Sequence, residues 1–153
     1  MHIVSKNILL QYVLLSISPV MSLRGLLLAT VVVFVLGSVW YSPLLFGNAW
    51  MKSAGLTEKS MKKVSKSTML GYFVAQFFTG MVMMFVLDVF LRYGAVVSYR
   101  DGVVTAILLW LWFIATAAFG AMTWEQKWLI YYLVNVWYYL ISLVLGAVIL
   151  VWL

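Results

Sequence analysis

Three uncharged polar side chains, Gln76, Thr116 and Asn135, stand inside long apolar stretches of a 153-residue chain. Polar groups in such stretches are costly, which makes them the first suspects for function. Their chemistry is hydrogen bonding: an amide brings two donor hydrogens and an acceptor, a hydroxyl one donor, and neither titrates near neutral pH to act as general acid, base or nucleophile. Ser42 and Tyr138 add two hydroxyls. A layer of Ser42, Gln76, Thr116, Asn135 and Tyr138 would either tie helices together or floor a small polar pocket. Carboxylates are scarce. Asp88 precedes Arg92 by four residues, the spacing of an ion pair on one helix face. Glu125, between Trp124 and Lys127, reads either as a solvated loop charge or as a carboxylate tucked against the chain break at Trp40 to Pro43. No HExxH, GxSxG, phosphate loop or carboxylate ligand pair occurs. A metal site, a cofactor or an enzyme therefore has little to build on. Zero cysteines remove disulfides and thiolate chemistry, and the single histidine is His2.

The elements that would position these residues follow from composition. At 66% hydrophobic and 9% charged, with mean hydropathy +1.08, the chain lies far from soluble globular usage, where roughly a quarter of residues are charged. An integral membrane protein is implied. Four apolar runs, about 23–41, 69–91, 103–122 and 128–152, are each long enough to cross roughly 30 Å of hydrocarbon, for which about 20 residues are needed. The expected fold is all-α, a bundle of four transmembrane helices in one domain over residues 21–153. The net charge of +6 comes from basic residues between the runs, where they set topology and meet anionic lipid headgroups, so nucleic acid is not an expected partner. The first and third connections carry six Lys/Arg, while the N-terminal segment and second connection carry four, Lys6, Arg24, Arg92 and Arg100. The positive-inside rule then puts both termini on the non-cytoplasmic side of a cell membrane. Lys52, Lys59, Lys62, Lys63 and Lys66 would lie over the cytoplasmic headgroups.

Residues 1–20 read as an N-terminal extension, with a mis-assigned start, an interfacial helix or a signal-like segment all open, because the apolar part is too short to span. In "VWYSPLLFGNAW" the first run stops: Pro43 disfavours helix at Ser42, and Ser followed by Pro is a helix-start pattern. A short interfacial helix from Pro43 to about Ala54, with Ser42 as its N-cap and Gly55 after its end, is expected. Trp40, Tyr41, Trp50, Trp124 and Trp128 would form an aromatic belt at that surface.

At 1.5 Å per residue, Gln76, Thr116 and Asn135 each lie roughly 10 Å in from the same membrane surface. Each run also carries a stripe at spacings of 3, 4 or 7: Thr30, Phe34, Gly37, Tyr41; Tyr72, Gln76, Thr79, Met83; Thr105, Trp112, Thr116, Gly120; and Tyr131, Asn135, Tyr138, Ser142. These stripes are expected to face one another.

"LGSVWYSPLLFGNAWMKSAGLT", Leu36 to Thr57, resembles the signature of domain-of-unknown-function family seventeen sixty-one, small bacterial membrane proteins. "WLWFIAT", Trp110 to Thr116, is similar to that family's third helix, which leads through a corner to a last helix with an Asn; here these match Trp124, Glu125, Trp128 and Asn135. The resemblance covers about Leu26 to the C-terminus. It departs where the family pattern has Tyr-His and this chain has Tyr138-Tyr139. It implies four helices and a membrane location, and no activity.

Three readings of function remain open on these residues. One is a structural or partner-binding membrane protein; another is a small transporter or channel subunit acting as a homo-oligomer, since four helices leave little room for a path in one chain. The third, an enzyme acting on lipid or isoprenoid, rests on Glu125 alone. Because the chain has no cysteine, orientation is open to a clean test with single-cysteine variants in intact cells. An impermeant thiol reagent applied from outside should label Ser98→Cys and spare Ser60→Cys, and the reverse pattern would overturn the orientation.

Overall fold

The computed structural model describes residues 22–153; the expected N-terminal extension, residues 1–20, lies outside them. Six helical elements follow. Helix α1, Leu23–Trp40, starts where the Ser22 hydroxyl accepts from the Gly25 N–H at 3.1 Å, satisfying one of the orphan donors of a helix start. Helix α2, Gly47–Ala54, ends at Gly55, which takes the left-handed conformation (φ 77°) that glycine adopts without steric cost. Helix α3, Glu58–Lys62, is a single turn held by a reciprocal capping box between Thr57 and Ser60. Helix α4, Lys66–Tyr93, is capped by Ser65. Helix α5 opens at Ser98 and comprises Tyr99–Leu109, a π-helical segment Trp110–Ala115, and Thr116–Thr123. Helix α6 is Leu129–Trp152. Four of these, α1, α4, α5 and α6, are long and apolar enough to cross a membrane. The all-helical bundle with a short helix after the first span is as expected from the hydropathy pattern.

The break after α1 differs in detail from the Ser-Pro reading. Residues 41–46 form turns, and α2 begins at Gly47 rather than at Pro43. The reason is local backbone bonding. Phe46 N–H donates to the Trp40 carbonyl (3.1 Å) and Gly47 N–H to the Ser42 carbonyl (3.0 Å), folding the segment back on the end of α1. A Cβ on Gly47 would run into the Tyr41 carbonyl oxygen and lie 2.7 Å from Ser42 backbone atoms, so this position admits only glycine without rearrangement.

Helix α6 is the hub. It packs against α1, α4 and α5, whereas α4 and α5 barely meet. Of its most apolar window 44% is buried, against 17% for α5. Small residues bring neighbours close: Gly146 lies under Met84 and Leu87 of α4, and Ser142 and Ala147 are fully buried. Two indoles fasten the hub to its neighbours. Trp40 Nε1 donates to the Val134 carbonyl at 3.0 Å and Trp110 Nε1 to the Val136 carbonyl at 2.7 Å. Asp88, 2% exposed, pairs with Arg92 Nε at 2.7 Å, as their spacing suggests.

Three of the four expected stripes border the interior at least in part, and the α5 stripe does not. Trp112 is 76% exposed and Thr116 is exposed. The inward residues of α5 are Gly102, Ala106, Trp110 and Ala115, whose steps of four, four and five residues register the π turn. One extra residue in a turn rotates everything beyond it by about 100°, so a strict 3.6-residue period misplaces this helix.

Gly47→Ala should lower thermal stability in detergent by about 1–3 kcal/mol, the cost typical of forcing extra atoms into filled space. Gly80→Ala, where a Cβ meets nothing within 4 Å, should be neutral or mildly stabilising. Equal effects at the two positions would contradict the fold-back of residues 41–47.

Candidate functional site

The turn after α1 lays α2 against the start of α6. Trp50 of α2 stacks on Tyr131 (ring centroids 6.4 Å apart) and meets Tyr41 edge to face (5.5 Å), while Phe46 covers Trp40 (4.5 Å). Tyr41 reaches across to α6, its hydroxyl donating to Asn135 Oδ1 at 2.8 Å, and Asn135 Nδ2 donates back to the Tyr131 carbonyl at 2.7 Å. The first turns of α4 do not close onto this assembly: most residues from Ser67 to Gln76 are exposed, Tyr72 by 62%.

A cavity of ≈ 420 Å³ results, within the roughly 300–1,000 Å³ of ordinary small-molecule sites. Helix α1 supplies Phe34, Gly37, Ser38 and Tyr41; α2 supplies Trp50; α4 supplies Met69, Tyr72, Phe73 and Gln76; α6 supplies Asn135, Tyr138 and Tyr139. Phe34 also meets Phe73 (6.4 Å) and Phe77 (5.6 Å) edge to face, bridging α1 and α4. Beyond it toward the other membrane surface the core is filled by Val33, Met84, Leu87 and Ser142, each at most 1% exposed. The cavity is thus set in one half of the bundle, with a predominantly aromatic wall and no charged side chain in it.

Its hydrogen-bonding inventory is unbalanced. The Gln76 amide has no partner. Trp50 Nε1 is buried without an acceptor. The Tyr138 hydroxyl reaches the Val33 carbonyl only at 3.5 Å. An unpartnered buried donor costs on the order of 1–3 kcal/mol, a cost borne here by the Trp50 Nε1, while the Gln76 amide is exposed on the cavity wall and open to a partner from outside the chain.

Of the polar layer read from the sequence, Gln76, Asn135 and Tyr138 line this one cavity, but Gln76 and Asn135 are not bonded to each other. Ser42 and Thr116 are elsewhere. The Ser42 hydroxyl donates to the Val39 carbonyl (2.7 Å) and accepts from the Leu44 N–H (3.2 Å), shaping the turn. Thr116 bonds back to the Trp112 carbonyl on the outer side of α5. The corner of Trp40, Pro43, Trp124 and Glu125 is not assembled: Trp40 is buried against α6, Trp124 is 89% exposed, and Pro43 and Glu125 are exposed with no bond between the two pairs. Among the described residues no three His, Cys, Asp or Glu side chains cluster to hold a metal ion. Lys52, Lys59, Lys62, Lys63 and Lys66 are all exposed, on or beside α2, α3 and the start of α4.

In the sequence Trp50 reads first as a belt anchor, Tyr72 only as one member of an inward stripe, and Tyr139 only as a departure from the family pattern, so none of the three is singled out as a cavity residue. A usable signal was present in α4, where Met69, Tyr72, Phe73 and Gln76 repeat at i, i+3, i+4 and i+7. A second space of ≈ 440 Å³ lies between α4 and α5, bordered by residues such as Val86, Phe90 and Phe113 and wholly apolar in its side chains.

Searches of curated proteins and of solved structures return no match to this chain. One family model matches residues 25–151, from the first spanning helix into the last, and the chain belongs to that family, Protein of unknown function (DUF1761).

Proposed function

We propose that this chain is a membrane-embedded binding protein whose ligand is a small amphipathic molecule held between α1, α4 and α6. The observation that carries the reading is the Gln76 amide, unpartnered on the wall of an open cavity within a spanning helix. Polar groups serving only to glue helices would bond one another, since an unsatisfied amide in hydrocarbon costs several kcal/mol. The aromatic wall supplies the apolar part of recognition and the unpaired Gln76 amide supplies the polar part.

The transporter alternative has less support, because the filled core around Val33, Met84 and Leu87 leaves no polar route past Phe34 within one chain; that reading needs a second copy. An enzyme finds no support in the cavity, which has no carboxylate, imidazole or nucleophile placed beside a base. In this reading the cavity end of the bundle is cytoplasmic, as the lysine distribution favours, and the exposed lysines of the α2–α4 segment rest on anionic headgroups.

Filling the cavity should separate binding from folding. Ser38 lines it and is exposed, so Ser38→Trp has room to enter without disturbing the core. In a panel of single-chain amphiphiles, at least one should raise the thermal midpoint of the detergent-purified protein with concentration, by an amount corresponding to about 2.7 kcal/mol of added stability at a hundredfold excess over Kd. Ser38→Trp should keep the unliganded midpoint and lose the rise. A rise of equal size in both proteins, or none with any amphiphile, would contradict the reading.

A further inference from the structure

The charge and donor pattern around the cavity narrows the class of ligand, an inference that rests on the binding reading above. The Gln76 amide is exposed in the wall and unpaired among the described residues, whereas the Trp50 Nε1, also unpaired, is buried beneath the wall out of a ligand's reach. The Asn135 Oδ1 is already taken by the Tyr41 hydroxyl, so the free amide of the wall is Gln76, whose NH₂ can donate to a ligand oxygen and whose Oε1 can accept from a hydroxyl. The charge of the ligand's head is then set by the groups around the cavity. A cationic group brings no acceptor and finds no carboxylate among the lining residues.

The sign of the surrounding charge agrees. Lys66 opens α4 on the same stripe as Met69, Phe73 and Gln76, at steps of three, four and three residues, so it stands over the cavity face about one turn nearer the surface than Met69. It is exposed and makes no ion pair among the described residues. Lys59 and Lys63 on the preceding segment are also exposed and add positive potential on that side, as does the N-terminal end of the 28-residue α4.

We propose that the cavity binds a single-chain amphiphile with an anionic oxygen head, a carboxylate or a phosphate monoester, its charge met by Lys66 and its apolar chain lying along Phe34 and Phe73. An organic cation of equal chain length would have the faces of the aromatic wall to hold it but would meet the charge of Lys66, so the comparison of anion with cation decides the assignment.

The test compares four probes of one chain length on the full-length protein in nonionic detergent: dodecanoate, dodecyl phosphate, dodecanol and dodecyltrimethylammonium. Binding is read as one-to-one adducts by native mass spectrometry and as saturable shifts of the thermal midpoint. The two anions should bind about tenfold more tightly than the alcohol, a difference of about 1.4 kcal/mol, and the ammonium should not bind. Lys66→Gln should weaken the anions roughly fivefold and leave the alcohol unchanged, as loss of one interfacial charge contact would. Gln76→Leu should weaken anions and alcohol alike. Equal binding of all four probes, or anion binding indifferent to Lys66→Gln, would overturn the anionic assignment while leaving the cavity as a binding site. No binding by any probe would remove the binding reading itself. Repeating the titration in nanodiscs separates the sources: competition by phosphatidylglycerol but not phosphatidylcholine identifies the bilayer's own anionic lipid as ligand, and indifference to both identifies a free amphiphile.

Discussion

Helix α6 holds its neighbours through its own backbone. The Val134 and Val136 carbonyls, two residues apart and so pointing to different sides of the helix, each accept an indole N–H, from Trp40 at the end of α1 and from Trp110 at the π segment of α5. In hydrocarbon an indole donor without an acceptor is expensive, so these two bonds fix where α1 and α5 meet α6 more sharply than apolar contact alone does. The rest follows from that anchorage. With Trp40 held, the fold-back at Gly47 lays Phe46 on Trp40 and Trp50 on Tyr131, and Tyr41 is left at the right reach for Asn135.

The two halves of the bundle then differ in how α4 packs. Around Met84 and Leu87 it lies close against α6, because Gly146 and Ala147 present almost no side chain there. Toward its start the facing residues of α6 are Asn135, Tyr138 and Tyr139, which hold α4 off. Bulk at one end and glycine at the other splay the same pair of helices, and the cavity is the space left by the splay. Across that space Gln76 of α4 does not reach Asn135, whose amide is bonded instead to Tyr41 and the Tyr131 carbonyl. In the proposed binding reading, specificity is a consequence of packing rather than an addition to it.

Much of the architecture was legible in the sequence because hydrocarbon imposes length and composition so strictly: four runs of suitable length gave four spans, and Asp88 and Arg92 gave their ion pair. Equal depth correctly grouped Gln76 with Asn135, but depth says nothing about rotation around a helix axis. Thr116 shares that depth and faces outward, since the π turn between Trp110 and Ala115 rotates the register and no residue type there announces it. Trp40 read as a belt residue and is instead a buried cross-helix donor, a distinction that depends on which carbonyl lies within reach. The start of α2 was misplaced by four residues because a Ser-Pro pair serves turns as readily as helix starts. Of the corner read around Glu125, Trp40 is buried against α6 while Pro43, Trp124 and Glu125 are exposed, because nothing in the sequence fixes how the turn after α5 sits against the break after α1.

The central claim is that Gln76 and Asn135 face an occupied space rather than each other. An electron cryomicroscopy structure of the protein in lipid nanodiscs, enlarged with a rigid antibody fragment, tests it most directly. The account predicts elongated density between Phe34 and Trp50, with the Gln76 amide turned toward it. Helix α4 closed onto α6, with the Gln76 amide bonded to Asn135 and no space between them, would contradict it.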